Sequence, residues 1–298
     1  MQPITAIIVI KGSPPHALES MDSVADFVSE IIIGDIGIDP QLKEAIKKYE
    51  HVTIVEINEY VPYVELIRDK LKKQAKNDYV LFLDPDEILP KDLKDLCAKD
   101  LSSFQYYSIP RKNIILGKWI EHSRWWPDYQ IRLFDKRAVV WPKLIHEQPQ
   151  TQGNEFKVEP MEKYAIIHHN YETIDEYMSK AVRYAKARAT EMYTGKTPFT
   201  LGDAMKRAIS EFISRFFALE GYKDGAHGFV LATLQMFYSF LVYFYLWEMK
   251  KYPNESAINL SRTAQTYFKH GLLETQHWMD KKNLQKKSVK DHIISKML

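Results

Sequence analysis

Tyr79-Val80-Leu81-Phe82-Leu83-Asp84-Pro85-Asp86-Glu87 decides how the rest of the chain is read. An apolar run that stops abruptly at three carboxylates describes a buried strand delivering concentrated negative charge to a sheet edge. Pro85 disfavours helical geometry at Asp84. In an extended chain residues two apart point the same way, so Asp84 and Asp86 are expected to converge on one cation. Oxygen ligands of this kind suit Mg2+ or Mn2+, which keep waters and take phosphate oxygens from a substrate. Taken alone, the segment has a second reading, a solvated acidic turn.

Upstream, apolar and helical stretches alternate. Ile4 to Ile10, Glu30 to Asp35 and Val52 to Ile57 read as strands, while Ala17 to Ser29, Gln41 to Tyr49 and Val61 to Lys76 carry a helical mixture of apolar and charged positions. Four strands and three helices thus lead to the acidic cluster, the order that builds an open parallel sheet with right-handed crossovers. In such Rossmann-like halves ligands sit beyond the carboxyl ends of the strands, here marked by Lys11, Asp35, Asp84 and Asp86.

Downstream the texture changes. From Phe104 to Val158 short runs rich in Tyr, Trp, Ile and Val are broken at Gly117, Pro127, Pro142 and Gly153, which predicts a mixed or antiparallel extension of the sheet. After His168-His169-Asn170 the chain reads as helical, with Thr173 an N-cap and Glu176 at the capping-box position. The expected organisation is a domain over 1–170, with a nucleotide half to about residue 100 and an acceptor half beyond it, then a helical region over 171–298. Gly228 to Trp247 holds no charged residue and is long enough to span a membrane, yet Thr233, Gln235 and Ser239 dilute it. A buried helix or subunit contact, a membrane-surface helix and a true span all remain open for it.

A chain of 298 residues with 45% hydrophobic composition builds a sizeable core. Its 41 basic and 39 acidic side chains give a formal charge of +2, which excludes the global positive field of a nucleic-acid binder. Cys97 is the single cysteine, so no intramolecular disulfide and no cysteine-based zinc site forms. An apolar strand directly after Met1, without a signal-peptide pattern, leads us to expect a cytoplasmic protein.

Several residues carry candidate chemistry. Asp35, between Ile31-Ile32-Ile33-Gly34 and Gly37, stands where a carboxylate accepts hydrogen bonds from a nucleobase or ribose, or else caps the following helix. Arg68 makes a surface salt bridge or reaches a diphosphate. In Arg124-Trp125-Trp126-Pro127-Asp128-Tyr129-Gln130-Ile131-Arg132-Leu133-Phe134, Trp125 and Trp126 serve either as sugar platforms or as core, Asp128 is the candidate general base, and Arg132 adds a cation for an acceptor. His146-Glu147 is a second candidate pair, a metal-ligand or acceptor site or a satisfied loop histidine, with Glu147 an alternative catalytic carboxylate.

This order of segments resembles the family 2 glycosyltransferases of the GT-A fold, in the branch that includes lipopolysaccharide-core enzymes. The likeness rests on Ile4 to Ile10, Glu30 to Gly37, Arg68, Leu83-Asp-Pro-Asp-Glu87, Trp126 to Phe134, His146-Glu147, His168 to Tyr171 and Gly221-Tyr-Lys-Asp-Gly-Ala-His-Gly228. It runs from residue 4 to about 250. It implies a GT-A-type α/β sheet with flanking helices and a helical C-terminal extension. It further implies an inverting hexosyltransferase that uses a uridine diphosphate sugar, Mg2+ or Mn2+, and a glycan or lipid-linked acceptor. By position Asp35 holds the uracil or ribose, Arg68 approaches the donor, Asp84 and Asp86 serve metal and diphosphate, and Asp128 is the base. Where the family has a Thr-x-Asn-Glu-like donor loop, this chain has Lys11-Gly12-Ser13-Pro14-Pro15, and its "DSGSTD" counterpart reads Asp35-Ile-Gly-Ile-Asp-Pro40. Two rival readings stand beside it: a degenerate nucleotide-sugar-binding or membrane-docking scaffold, and a haloacid-dehalogenase-type phosphatase, whose later acidic pair is missing. Expected partners are the sugar donor, the acceptor, the membrane surface and a second copy of the chain, with no nucleic acid.

Overall fold

The computed structural model describes residues 2–61, 64–99, 101–141 and 149–284. Strand β1 (Gln2–Gly12), helix α1 (Ala17–Ala25), β2 (Val28–Ile38), α2 (Pro40–Ile46), β3 (Val52–Glu56), α3 (Glu65–Lys72) and β4 (Tyr79–Leu83) follow in the expected alternation. β1 lies between β2 and β4, parallel to both. Ile4, Ala6, Ile8 and Ile10 face one side, where Met21, Val24, Leu42 and Ile46 of α1 and α2 cover them. Ile7 faces the other, against Ile67 and Leu71 of α3. A strand covered on both faces reads as a continuous apolar run, which is what Ile4 to Ile10 shows.

Three helices stop earlier than expected, α3 at Lys72 rather than Lys76. α1 ends at Ala25 because Val28, β-branched and buried, already pairs with Gln2 in the β2 ladder. α2 starts where Asp39 accepts from the N–H groups of Gln41 and Leu42 with Pro40 in the first turn, and it ends at Ile46 rather than Tyr49.

The second half of the sheet is mixed and mainly antiparallel, in line with the expected mixed or antiparallel extension. β5 (Glu87–Ile88), β6 (Tyr106–Ile115), β7 (Lys118–Trp119), β8 (Asp128–Asp135), β11 (Glu155–Lys157) and β12 (Ile166–Tyr171) complete it, with α4 (Lys91–Lys99) between β5 and β6, while β9 (Val139–Val140) and β10 (Gln150–Thr151) pair in a separate two-stranded sheet. The sheet order β3-β2-β1-β4-β8-β6-β12-β5 inserts β8 beside β4. Three registers position the site: Leu81 opposite Leu133, Arg111 opposite Asp128, and Glu87 opposite His168. The result is the α/β sheet, parallel on one side and antiparallel on the other, that the GT-A-type expectation describes.

Two compact units emerge, one comprising Met1–Ile114 and Trp126–Asn170, the other Ile115–Trp125 with the chain from Tyr171 on. The second holds α5 (Ile174–Thr194), α6 (Leu201–Ile213), α7 (Ala226–Met249) and α8 (Ala257–Lys281). Thr173 caps α5 by accepting from Glu176 N–H, while the Glu176 carboxylate accepts from Glu172 N–H at 2.7 Å. Ala185, Ala189 and Met192 of α5 pack with Ala204 of α6 and Val242 and Leu246 of α7.

The glycine motif from Gly221 to Gly228 is architectural. A Cβ on Gly228 would lie 1.8 Å from the Gly221 carbonyl oxygen, so the backbone at the start of α7 touches the preceding turn directly. Asp224, 3% exposed, accepts from His122 N–H at 3.0 Å and Glu121 N–H at 3.3 Å, tying Ile115–Trp125 to the helices. Gly228→Ala forces main chain apart and is expected to cost about 3 kcal/mol, the upper part of the overpacking range. A urea midpoint unchanged from wild type would contradict this close approach.

Candidate active site

The segment after β4 does not continue as an extended strand. Glu87 N–H donates to the Asp84 carbonyl at 2.9 Å and Asp84 N–H donates back to Glu87 Oε2 at 3.0 Å, closing a turn around Pro85. The premise that extended geometry aims Asp84 and Asp86 at one point is therefore corrected: the turn sends each carboxylate of the motif to a different environment.

Glu87 is completely buried. Its Oε1 accepts from Arg132 Nη2 at 2.5 Å and from Arg111 Nη1 at 3.1 Å. Arg132 Nη2 also donates to Asp84 Oδ2 at 2.5 Å, and Arg68 Nη2 approaches Asp84 Oδ1 at 3.4 Å. Arg111 extends the network across the sheet, donating through Nε and Nη2 to Asp128 Oδ2 at 2.9 and 2.5 Å. Burial opposes ionisation of Asp84, and the charges of Arg132, then Arg68 and Arg111, outweigh it and hold its carboxyl well below the usual carboxylate range. Asp128 is depressed in the same way, its burial outweighed by Arg111 and by hydrogen bonds from Asn113 and Gln130.

Asp86 is different. No guanidinium contacts it among the described residues, its side chain keeps 35% exposure, and its Oδ2 lies 3.7 Å from His168 Nε2. The tautomer of His168 follows from its neighbours. Asn113 Nδ2 donates to Asp128 Oδ2 at 3.2 Å, which leaves Asn113 Oδ1 to accept from His168 Nδ1 at 2.6 Å. A neutral imidazole donating through Nδ1 presents the Nε2 lone pair toward Asp86. One carboxylate oxygen and one imidazole nitrogen side by side, with an orienting group behind the ring, form a donor set that fits a divalent cation completed by waters and phosphate oxygens. The backbone holds the pair together, since His169 N–H donates to the Asp86 carbonyl at 2.9 Å.

The other expected residues distribute unevenly. Arg68 joins the cluster from α3, its guanidinium 5.5 Å from the Phe82 ring centroid and 5.6 Å from that of Trp141. Arg132, expected to meet an acceptor, is 3% exposed and acts as an internal counter-ion, because β8 points it inward between two carboxylates. Asp35 does not join the cluster. It accepts from Gly37 and Ile38 N–H at 2.9 and 2.8 Å and from Lys43 of α2 at 2.8 Å, on the α1 and α2 face of the sheet, whereas Asp84 meets Arg68 from the α3 face. It folds its own loop, and Asp39 rather than Asp35 caps the helix. Trp125 packs in the second unit with Ile115, Ile120 and Leu231, while Trp126 is half-buried in the first. His146 and Glu147 lie outside the described residues.

Sequence reasoning missed Glu87, Arg111, Asn113 and His168 as site residues. A signal existed for three of them: Glu87 belongs to the acidic run, and a polar pair two apart on a strand, Arg111 and Asn113, places both side chains on one face.

No family model matches the chain. Among solved structures, residues 1–349 of S. aureus TarS align over 81% of this chain and 90% of that one, with a TM-score of 0.45 and 13% identity. The same fragment in complex with UDP-GlcNAc aligns over 77% and 79%, with a TM-score of 0.44 and 16% identity. Bifunctional IspDF from Campylobacter jejuni gives 0.37 and 12% identity over 54% of this chain and 50% of that one. None of these reaches a TM-score of 0.5.

Two measurements probe the network. Arg132→Met strips buried Glu87 and Asp84 of their shared cation and is expected to lower stability by about 3–5 kcal/mol, read from urea unfolding. Asp84 and Asp128 have folded pKa values below the unfolded value of about 3.9, so the unfolded chain binds more protons between the two and stability rises with pH there. Their contribution is complete above the unfolded value and lost as pH falls through the folded ones. Urea midpoints should therefore drop below about pH 4, and less steeply in Asp128→Asn.

Proposed function

We propose that this chain is a metal-assisted, inverting glycosyltransferase that moves a sugar from a nucleoside diphosphate to a hydroxyl of a glycan or lipid-linked acceptor. The observation that carries the proposal is the division of labour in the acidic turn. At the carboxyl edge of the parallel strands Asp84 and Glu87 are neutralised by guanidiniums, and Asp86 is left facing Nε2 of His168 at 3.7 Å. A turn built only as a solvated acidic loop has no need of a buried arginine, two half-buried ones and an oriented imidazole behind it.

In this reading Asp86 and His168 hold Mg2+ or Mn2+, which when bound supplies charge stabilisation at the departing diphosphate. Asp84, oriented by Arg132 and Arg68, keeps the turn in place and presents its exposed edge to the donor. Asp128 is the base. Arg111 and Asn113 lock its Oδ2, whereas Oδ1 carries one hydrogen bond, from Gln130 Nε2 at 3.0 Å, and is the oxygen placed to take the acceptor proton as the new bond forms. Its depressed pKa keeps it deprotonated at neutral pH. Glu147 is the alternative base. A hexose, a uridine diphosphate donor and a lipopolysaccharide-type acceptor are what the resemblance implies, and a thermal-shift screen of nucleotide sugars with Mn2+ identifies the donor through the rise in melting temperature on binding.

The altered donor loop, Lys11-Gly12-Ser13-Pro14-Pro15, favours a second reading, a scaffold that binds a nucleotide sugar and does not turn it over. The two are separated by Mn2+-dependent release of nucleoside diphosphate. Asp86→Ala and His168→Ala should each lower that rate roughly a hundredfold, as expected when a metal contribution of several kcal/mol is weakened. Wild-type rates in both variants contradict the metal assignment, and donor binding without turnover in the wild type supports the scaffold.

A further inference from the structure

We infer that the helical unit carries a docking surface for an anionic lipid bilayer, formed by the outward sides of α7 and α8. The inference does not depend on the transferase reading. α7 is uncharged from Gly228 to Trp247, with a mean hydropathy of 1.6 over its most apolar window, yet 28% of that window is buried. A helix that is apolar all round requires cover on every side. Val242 and Leu246 find it against α5 and α6, but Phe229, Phe237, Phe244 and Trp247 stay exposed. Those four recur at eight, seven and three residues, so they share one side of the helix.

α8 repeats the pattern. No residue of it is buried, and Ile258 and Phe268 are 71% and 70% exposed. Where Phe268 and Leu272 meet Ile209, Phe212 and Met236, an apolar groove of about 340 Å³ lies open. Exposed large apolar side chains grouped on two helices in this way mark an interaction site.

Charge selects the occupant. Residues 171–298 hold 19 Lys and Arg against 13 Asp and Glu, a net of +6, whereas residues 1–170 hold 22 against 26, a net of −4. Lys269 follows Phe268 in sequence, and Arg262, two helical turns earlier, lies on the same side of α8 as Lys269. At the end of α7 the Trp247 ring sits edge-on to Tyr252 at 4.9 Å, with Lys250 and Lys251 between them in sequence. Amphipathic aromatics beside lysines suit the headgroup layer, and anionic lipid complements the cationic unit. A second copy of the chain is a poorer partner, because a two-fold contact brings the same cationic surface against itself. By sequence, residues 285–298 add four lysines against one aspartate, which also fits an anionic surface better than this one.

The test is cosedimentation of the full chain with vesicles of phosphatidylcholine alone and of phosphatidylcholine with phosphatidylglycerol. The chain should pellet with the anionic vesicles. Raising salt from about 0.1 M to about 1 M, which shortens the Debye length from about 10 to about 3 Å, should release much of it. Phe268→Asp/Leu272→Asp should weaken binding at least about tenfold, from the loss of two buried apolar side chains. Arg262→Glu/Lys269→Glu, at exposed positions that leave the fold intact, should weaken binding to anionic vesicles selectively. Failure of the wild type to pellet with anionic vesicles overturns the inference, as does binding indifferent to both variants. A dimer in light scattering that Phe268→Asp/Leu272→Asp converts to monomer would assign the surface to a second copy instead.

Discussion

A carboxylate with no solvent exposure, Glu87, organises the first unit of this protein. A buried charge is tolerated only with its counter-charge and hydrogen bonds in place, and here Arg132 and Arg111 converge on one oxygen while Asp84 N–H takes the other. Because Arg132 comes from β8, Arg111 from β6 and Asp84 from the end of β4, satisfying Glu87 fixes the register of three strands at the edge where a ligand would sit. Charge pairing thus does in the antiparallel half what Ile4 to Ile10 and their helices do by apolar packing in the parallel half.

The same pairing sorts four carboxylates into separate tasks. Glu87 is an internal anion, Asp84 is half-buried and paired with Arg132 and Arg68, Asp128 is oriented through one oxygen, and Asp86 remains available beside His168. The chain Asp128, Asn113, His168, Asp86 links the proposed base to the proposed metal ligand through three contacts, two of them hydrogen bonds, so the tautomer of His168 is set from the base side. A disturbance at either end reaches the other through the imidazole.

Much of the parallel half was legible in the sequence, because burial on both faces writes itself as unbroken apolar runs and Tyr79–Leu83 has the bounds its composition suggests. The antiparallel extension was legible in kind. Its register was not, since register depends on pairing between distant segments, and register is what turns Arg132 inward and brings Arg111 opposite Asp128. Asp35 shows the complementary limit: a carboxylate at a strand end looks like a ligand group in sequence, while the loop amides and Lys43 that occupy it become visible only in three dimensions. The motif from Gly221 to Gly228 was recognisable as a pattern, and its meaning, a backbone contact too close for any Cβ, is geometric.

The central claim is that Asp86 and His168, not the full acidic run, hold the divalent cation. Diffraction from crystals grown with Mn2+ and a nucleoside diphosphate, with data collected at the manganese edge, tests it directly. The account predicts one anomalous peak about 2.1–2.3 Å from an Asp86 carboxylate oxygen and from His168 Nε2, with Asp84 still paired to Arg132. A peak bound through Asp84 with the arginine displaced, or at Asp35, would contradict it.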